Sequence, residues 1–322
     1  MTRDADTKYL PLLDHITIQP VFILGLQRSG TTILYETLQH TDLFNVVTIY
    51  DILNYDALLA THYQRKDAQE QEALTKTLTT LGITTRRTDA IPITPTSTQE
   101  YIYLYTLHGH PQHTTTHNYQ LLQTLCKKIQ YIQGNTKPIL LKNPSDLPYF
   151  LTLKTLFPTA RFIFIHRDPL KVLDSTLRAW RTLYHHYNPY TALFNPNYQG
   201  IYHNPLTRTL IRLLFDPPLP PGLITDTLTA HRRLTHYLTH INQLPASDYT
   251  AIRYEDLCSD TTPTITQILH NLNLPTPTNL PAKLTPRDLP LLPDTARLQH
   301  YINAKMAAYR TALHYTQGTK PK

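Results

Sequence analysis

The stretch Gly25-Leu26-Gln27-Arg28-Ser29-Gly30-Thr31-Thr32 packs two glycines, one guanidinium and three hydroxyls into eight residues. It follows an apolar run, PVFIL, and precedes a segment with helical spacing, so it reads as a strand-to-helix loop. Such a loop suits an anion, because backbone N–H groups and hydroxyls at a helix start all donate into one concavity. Gly25 and Gly30 have the G-x4-G spacing of a nucleoside-triphosphatase loop, but Thr31 stands where those loops carry Lys. The basic group lies inside the loop instead, at Arg28. The expectation is a terminal-phosphate site built from Gln27, Arg28, Ser29, Gly30, Thr31 and Thr32. It lacks the Lys that bridges the outer phosphates of ATP. The plainer reading of the same residues is an ordinary strand–turn–helix.

Other reactive residue types form weaker patterns. His108, His110, His113 and His117 fall within ten residues, a spacing that could serve a transition metal. No neighbouring Cys or carboxylate completes the set, and the chain carries 17 His throughout. They read as a solvated loop, and no metal is expected. Trp180 and the tyrosines of 184–202 could line an acceptor pocket or simply pack in a core. Cys126 and Cys258 are too few for a disulfide framework or a thiolate metal site, which suits a reducing compartment.

The elements that must position these groups alternate in type. Residues 20–25, 138–142, 161–166 and 249–253 read as apolar strands. Helical patterns cover 31–40, two stretches between 51 and 82, then 118–132, 146–156, 169–183, 224–243, 262–273 and 294–314. Residues 84–98 are proline-punctuated and Thr-rich, hence a surface loop. Residues 184–223 are aromatic and proline-rich, with no visible periodicity. Buried strands alternating with helices imply an α/β fold, a parallel sheet covered on both faces, whose ligands bind at the carboxyl ends of the strands. The 322 residues are 41% hydrophobic and 16% charged, enough to bury a substantial core in one large domain or two modest ones, and unlike a disordered chain. The net charge of +7 comes without any basic run, which argues against a nucleic-acid tail.

At PVFILGLQRSGTT the sequence resembles the phosphate loop of sulfotransferases that use 3'-phosphoadenosine 5'-phosphosulfate (PAPS), in the Arg-containing form of tyrosylprotein sulfotransferases and many bacterial relatives. The likeness continues at RFIFIHRDPLKVLDS. There the family has a strand-terminal Arg and, eight positions on, a Ser that together hold the 3'-phosphate, here Arg167 and Ser175. His166-Arg167-Asp168 also spells the kinase HRD, but Leu173 stands where that loop needs Asn, and no DFG follows. IRYEDL at 252–257 resembles the segment whose Tyr lies beside the adenine, here Tyr254. Lys-Asn-Pro at 142–144 resembles the strand end that carries a Lys near the transferred sulfonate, here Lys142. Relatives often have a catalytic His two positions on, where this chain has Pro144.

The resemblance implies a P-loop-type nucleotide-binding fold forming a single sulfotransferase domain over 1–322. Its cofactor core would be about 18–178 and 248–275, with an acceptor-side insertion about 184–223. It further implies transfer of a sulfonate from PAPS to a hydroxyl of a sugar, lipid, small molecule or peptide, without a metal. Arg28 and Lys142 would stabilise charge, and Asp51 or Glu100 would serve as the general base. The alternative is a non-catalytic relative that binds nucleotide or a partner, kept open by the unassigned base and by Gln27, where relatives often have Pro. The charged, proline-containing first residues do not resemble a signal peptide, and no window approaches 18 apolar residues. The expectation is a cytoplasmic protein.

Overall fold

The computed structural model describes residues 5–86, 92–218, 220–278, 280, 283–285 and 289–315. Among these residues five strands form one sheet: β1 Pro20–Leu24, β2 Asn45–Val46, β3 Ile139–Lys142, β4 Arg161–His166 and β5 Tyr249–Arg253, in the order β2-β3-β1-β4-β5. β1 and β2 each run parallel to β3, with Ile23 opposite Lys142. Every residue of β1 and β3 is buried. This is the continuous apolar pattern of strands covered on both faces. β2 is only two residues long, too short to leave a sequence signature.

Contacts divide the chain into two compact units. The first comprises Met1–Ile23, Leu34–Phe162 and Asn188–Gly200. Its core gathers Phe22, stacked on Phe162 and edge-on to Tyr101. The helix Tyr119–Gln133 buries Leu122, Leu125, Cys126 and Ile129 on one face and ends at Gly134, at φ 59°. Glycine relieves the Cβ clash that this left-handed stop would otherwise carry. Tyr35, fully buried, donates its hydroxyl to Leu140 O of β3 and accepts from Val47 N. Of the proline-rich stretch 84–98, residues 87–91 lie outside the described residues.

The second unit comprises Leu24–Ile33, Ile163–Tyr187 and Ile201–Lys322. The helices Pro169–His185 and Pro221–His240 dominate it, with Trp180 stacked between Tyr184 and Phe215 and its indole N–H donated to Asp226. Trp180 thus has a packing role in the structure.

The stretch 184–223, without visible periodicity in the sequence, is helical over most of its described residues. It forms the helices Pro189–Phe194, Pro196–His203 and Pro205–Phe215. Each opens on an Asn-Pro pair. Asn188 accepts from Thr191 N, Asn195 from Tyr198 N, and Asn204 from Leu206 N and Thr207 N. A capping Asn followed by a proline with preset φ starts a helix locally, even where the helix is too short to show a period. The stretch 294–314 also differs from expectation. It is three short helices, Pro293–Arg297, Gln299–Lys305 and Ala307–Ala312, rather than one.

Candidate functional site

β1 feeds directly into the loop 25–30, and the helix Thr31–Gln39 begins as the loop ends. The turn closes through Ser29 N to Leu26 O at 3.0 Å. Two backbone features make it tight. Arg28 sits at φ 72° and Gly30 at φ 102°, the left-handed region that costs a non-glycine residue about 1–2 kcal/mol. A Cβ on Gly25 would come within 2.5 Å of Ile165 O and 2.7 Å of Ser29 Oγ, and one on Gly30 would run into the Tyr254 ring. These glycines therefore hold the backbone close to its neighbours and leave room that a side chain would fill.

Three side chains from elsewhere in the chain converge on this loop. Arg28 Nε donates to Ser175 Oγ at 3.1 Å, and Arg167 Nη1 donates to Arg28 O at 3.1 Å. The Arg167 guanidinium lies 4.3 Å from the centroid of the Tyr254 ring, a cation–π contact. Ser29 Oγ is buried and has no hydrogen-bond partner among the described residues, which costs about 1–3 kcal/mol when nothing compensates. Strain at Arg28 and an orphaned hydroxyl fit a loop whose stable partner is an anion. Two guanidiniums, a helix start and this hydroxyl are the donor set that a phosphate takes up. Arg28, Arg167, Ser175 and Tyr254 lie together with Ser29, Gly30 and Thr31, while Gln27 is exposed at the loop's rim.

The first unit holds a separate constellation at the carboxyl end of β3. Lys142, 1% exposed, pairs with Glu100 at 2.8 Å between Nζ and Oε1. Glu100 is positioned by a short paired stretch, with Thr98 bridged to Thr48, Gln99 N on Val47 O and Ile49 N on Ser97 O. Gln99 also accepts from Glu100 N and donates to the Tyr190 hydroxyl. Asp51 hangs from the same stretch but is engaged as a helix cap. Its Oδ2 accepts from Thr48 N and Thr48 Oγ1, both at 2.8 Å, and Asp51 N donates back to Thr48 Oγ1. Burial pushes its carboxyl up to about 6, against the pull of those Thr48 bonds.

Sequence reasoning missed Asp146. It is wholly buried and accepts from Tyr101 Oη, Thr114 N, Thr114 Oγ1 and Asn143 Nδ2. Burial raises its carboxyl above the ordinary value. Tyr101 N in turn donates to Lys142 O, so Asp146 braces the residues that follow both Glu100 and Lys142. The only sequence signal was an Asp two residues after Asn-Pro, which also describes a common turn. The histidines scatter: His113 stacks on Tyr149, His108 bonds Leu104 O, and His110 and His117 are exposed. Among the described residues no three His, Cys, Asp or Glu side chains come together as a metal-binding group.

A central parallel sheet flanked by helices, with a tight strand-to-helix loop at the end of β1, defines a P-loop-like nucleotide-binding fold. The model of the sulfotransferase family matches residues 20–208, and the chain belongs to that family. Curated relatives from Mycobacterium bovis and Mycobacterium tuberculosis, both named omega-hydroxy-beta-dihydromenaquinone-9 sulfotransferase Stf3, are 25% identical over 202 residues. The match is 56% of this chain and 49% of theirs, so the chain spans about half the length of the curated relatives it matches. Among solved structures, sulfotransferase STF9 from Mycobacterium avium has a TM-score of 0.59 at 15% identity, covering 95% of this chain and 80% of that one. Sulfotransferase STF1 from Mycobacterium tuberculosis gives 0.57 at 15%, covering 94% and 80%. These two establish likeness of fold. Among the described residues no helix is long and apolar enough to cross a membrane.

Proposed function

We propose that the chain transfers the sulfonate of PAPS to a hydroxyl of an acceptor. The observation that carries this is the strained, arginine-lined loop with its orphaned Ser29 hydroxyl, in a chain of the sulfotransferase family. In this reading Gln27, Arg28, Ser29, Gly30, Thr31 and Thr32 hold the 5'-side phosphate of the nucleotide. Arg167 and Ser175 hold its 3'-phosphate, and Tyr254 lies against the adenine. The bound donor supplies an activated sulfonate whose departure leaves a phosphate.

The chain's own work is then electrostatic and acid–base. Arg28 and the backbone N–H groups of 28–32 stabilise negative charge on the leaving side. Lys142, buried at the carboxyl end of β3, is the positive charge that the family resemblance gives to the sulfonate side. Glu100 is the favoured general base. Its carboxylate is held at 2.8 Å by Lys142, is partly exposed at 21%, and has Oε atoms that can accept a proton from an acceptor hydroxyl. Asp51 remains the second candidate, with its Oδ2 already occupied by two Thr48 donors. The names of the curated relatives describe a hydroxy-bearing quinone lipid as their acceptor. For this chain the acceptor class is a hydroxyl of a lipid, sugar, small molecule or peptide.

Calorimetric titration with adenosine 3',5'-bisphosphate tests the reading. Binding is expected, with loss in Arg28→Ala and Arg167→Ala. No heat with that nucleotide, alongside tight binding of ATP, would overturn it. Binding without any donor turnover across a panel of hydroxyl acceptors would instead favour a non-catalytic nucleotide-binding relative.

A further inference from the structure

We infer that the C-terminal segment 306–315 is a positioning clamp for Arg167 and Tyr254, and that Arg310 within it sets the preference for a nucleotide bearing a 3'-phosphate. This inference rests on the nucleotide reading above. The clamp segment itself lies outside 20–208, where the family match ends.

The segment grips the chain on both sides of each nucleotide-side residue. Before Arg167, His166 Nδ1 meets the Tyr309 hydroxyl at 3.0 Å. After it, Arg310 Nη1 donates to Asp168 Oδ1 at 2.7 Å. After Tyr254, Glu255 Oε2 accepts from the Tyr315 hydroxyl at 2.9 Å. Before Tyr254, the Arg253 guanidinium lies 5.1 Å from the centroid of the Tyr315 ring. Asp168 N donates to Glu255 Oε1 at 3.2 Å, which ties the two gripped stretches to each other. The clamp is itself anchored, because Met306, Tyr309 and Tyr315 are all buried and the two tyrosine rings stack.

Charge gives the two halves of the clamp different duties. Asp168 is the immediate neighbour of Arg167, and it already caps the helix Pro169–His185 through Leu170 N. An unbalanced carboxylate there would oppose a phosphate dianion at Arg167. Arg310, mostly buried at 12% exposure, neutralises it. Tyr315 has no such role. It fixes Glu255 and Arg253, hence the aromatic ring between them that would meet the base.

Calorimetry on the full chain with two nucleotides separates these duties from mere structural support. Adenosine 3',5'-bisphosphate and adenosine 5'-monophosphate differ only in the 3'-phosphate. Arg310→Met is expected to weaken the bisphosphate at least tenfold and the monophosphate less than threefold, and Arg310→Lys to recover most of the loss. Tyr315→Phe is expected to weaken both nucleotides by the same factor. Should Arg310→Met fail to fold, Tyr309→Phe probes the same side of the clamp and is expected to weaken the bisphosphate selectively. Equal losses for both nucleotides in the Arg310 or Tyr309 variant, or no loss at all, would sink the inference while leaving the sulfotransferase reading intact. A wild-type chain that binds neither nucleotide would overturn that reading and the clamp with it.

Discussion

In the unit that carries the loop 25–30, Ser29 Oγ is buried without a partner among the described residues and Arg28 is held at φ 72°. In the unit that carries Lys142, Asp146 accepts four hydrogen bonds, and Glu100 and Lys142 satisfy each other across 2.8 Å. The first arrangement stores unfavourable terms that a bound anion would relieve. The second is satisfied without any ligand. Substitutions should therefore separate cleanly: damage to the Lys142 unit should appear as lost stability or turnover, and damage to the loop as lost affinity.

The largest effect is expected at Asp146. Asp146→Ala removes the acceptor of the buried Tyr101 hydroxyl and of Thr114 N, and leaves the Thr114 hydroxyl only Tyr105 Oη and the Asn143 amide only Gln112 O. A stability loss of about 3–5 kcal/mol should follow, read as a lower denaturant midpoint with an unchanged slope. A loss under 1 kcal/mol would show that the network is not as closed as its geometry implies.

Next comes Glu100→Gln, which keeps the shape and removes the charge and the basic oxygen. Turnover with a competent acceptor should fall by roughly 10²–10⁴, with bisphosphate affinity held within about threefold. If turnover survives, proton removal belongs to another group, and Asp51 becomes the residue to test.

Arg28→Gly carries the comparison in the opposite direction. Glycine adopts φ 72° without a Cβ clash, which offsets its extra freedom in the unfolded chain. Stability should stay within about 1 kcal/mol of wild type, while bisphosphate affinity drops by roughly 10–100-fold with the lost guanidinium. A variant that binds as wild type would mean that the backbone alone forms the cradle.

The legible parts of the molecule were those encoded locally. The runs PVFIL, ILLK and RFIFIH are strands covered on both faces, while YTAIR, at the sheet edge, buries only alternate residues. Arg28, Arg167, Ser175 and Tyr254 were brought together by motif order, and the structure has them in one place. What stayed hidden was non-local or too short. β2 has two residues, and the helices of 189–215 start from Asn-Pro caps rather than from periodicity. Asp146 gathers Thr114 from 32 residues away, and the clamp spans 142 residues between Asp168 and Arg310. No pattern in a local window reports such contacts.

The smallest net effect concerns pH, where the two units oppose each other. Burial pushes Asp51 up from 3.8 to about 6 in the first unit and pushes His166 down from 6.5 to about 3 in the second. The folded state therefore binds a proton at Asp51 more tightly than the unfolded chain does. Its contribution is fully present below about pH 4 and is lost as pH rises through about 6. His166 runs the other way. Folding holds it neutral, so its contribution is present above the ordinary histidine value and is lost as pH falls toward 3. The two slopes partly cancel between pH 4 and 6, and the wild-type curve alone cannot resolve them. Asp51→Asn isolates one. Asparagine's carbonyl can still accept from Thr48 N and Oγ1, so the variant mimics the protonated carboxyl at every pH. Wild type and variant should nearly match in unfolding free energy near pH 4, and the variant should be the more stable by about 2–3 kcal/mol at pH 7. A constant gap across that range would mean that Asp51 is no harder to ionise in the fold than in the open chain. Its capping bonds to Thr48 would then outweigh its burial, and the half-buried carboxylate would be charged throughout the range in which the neighbouring Glu100 is proposed to work.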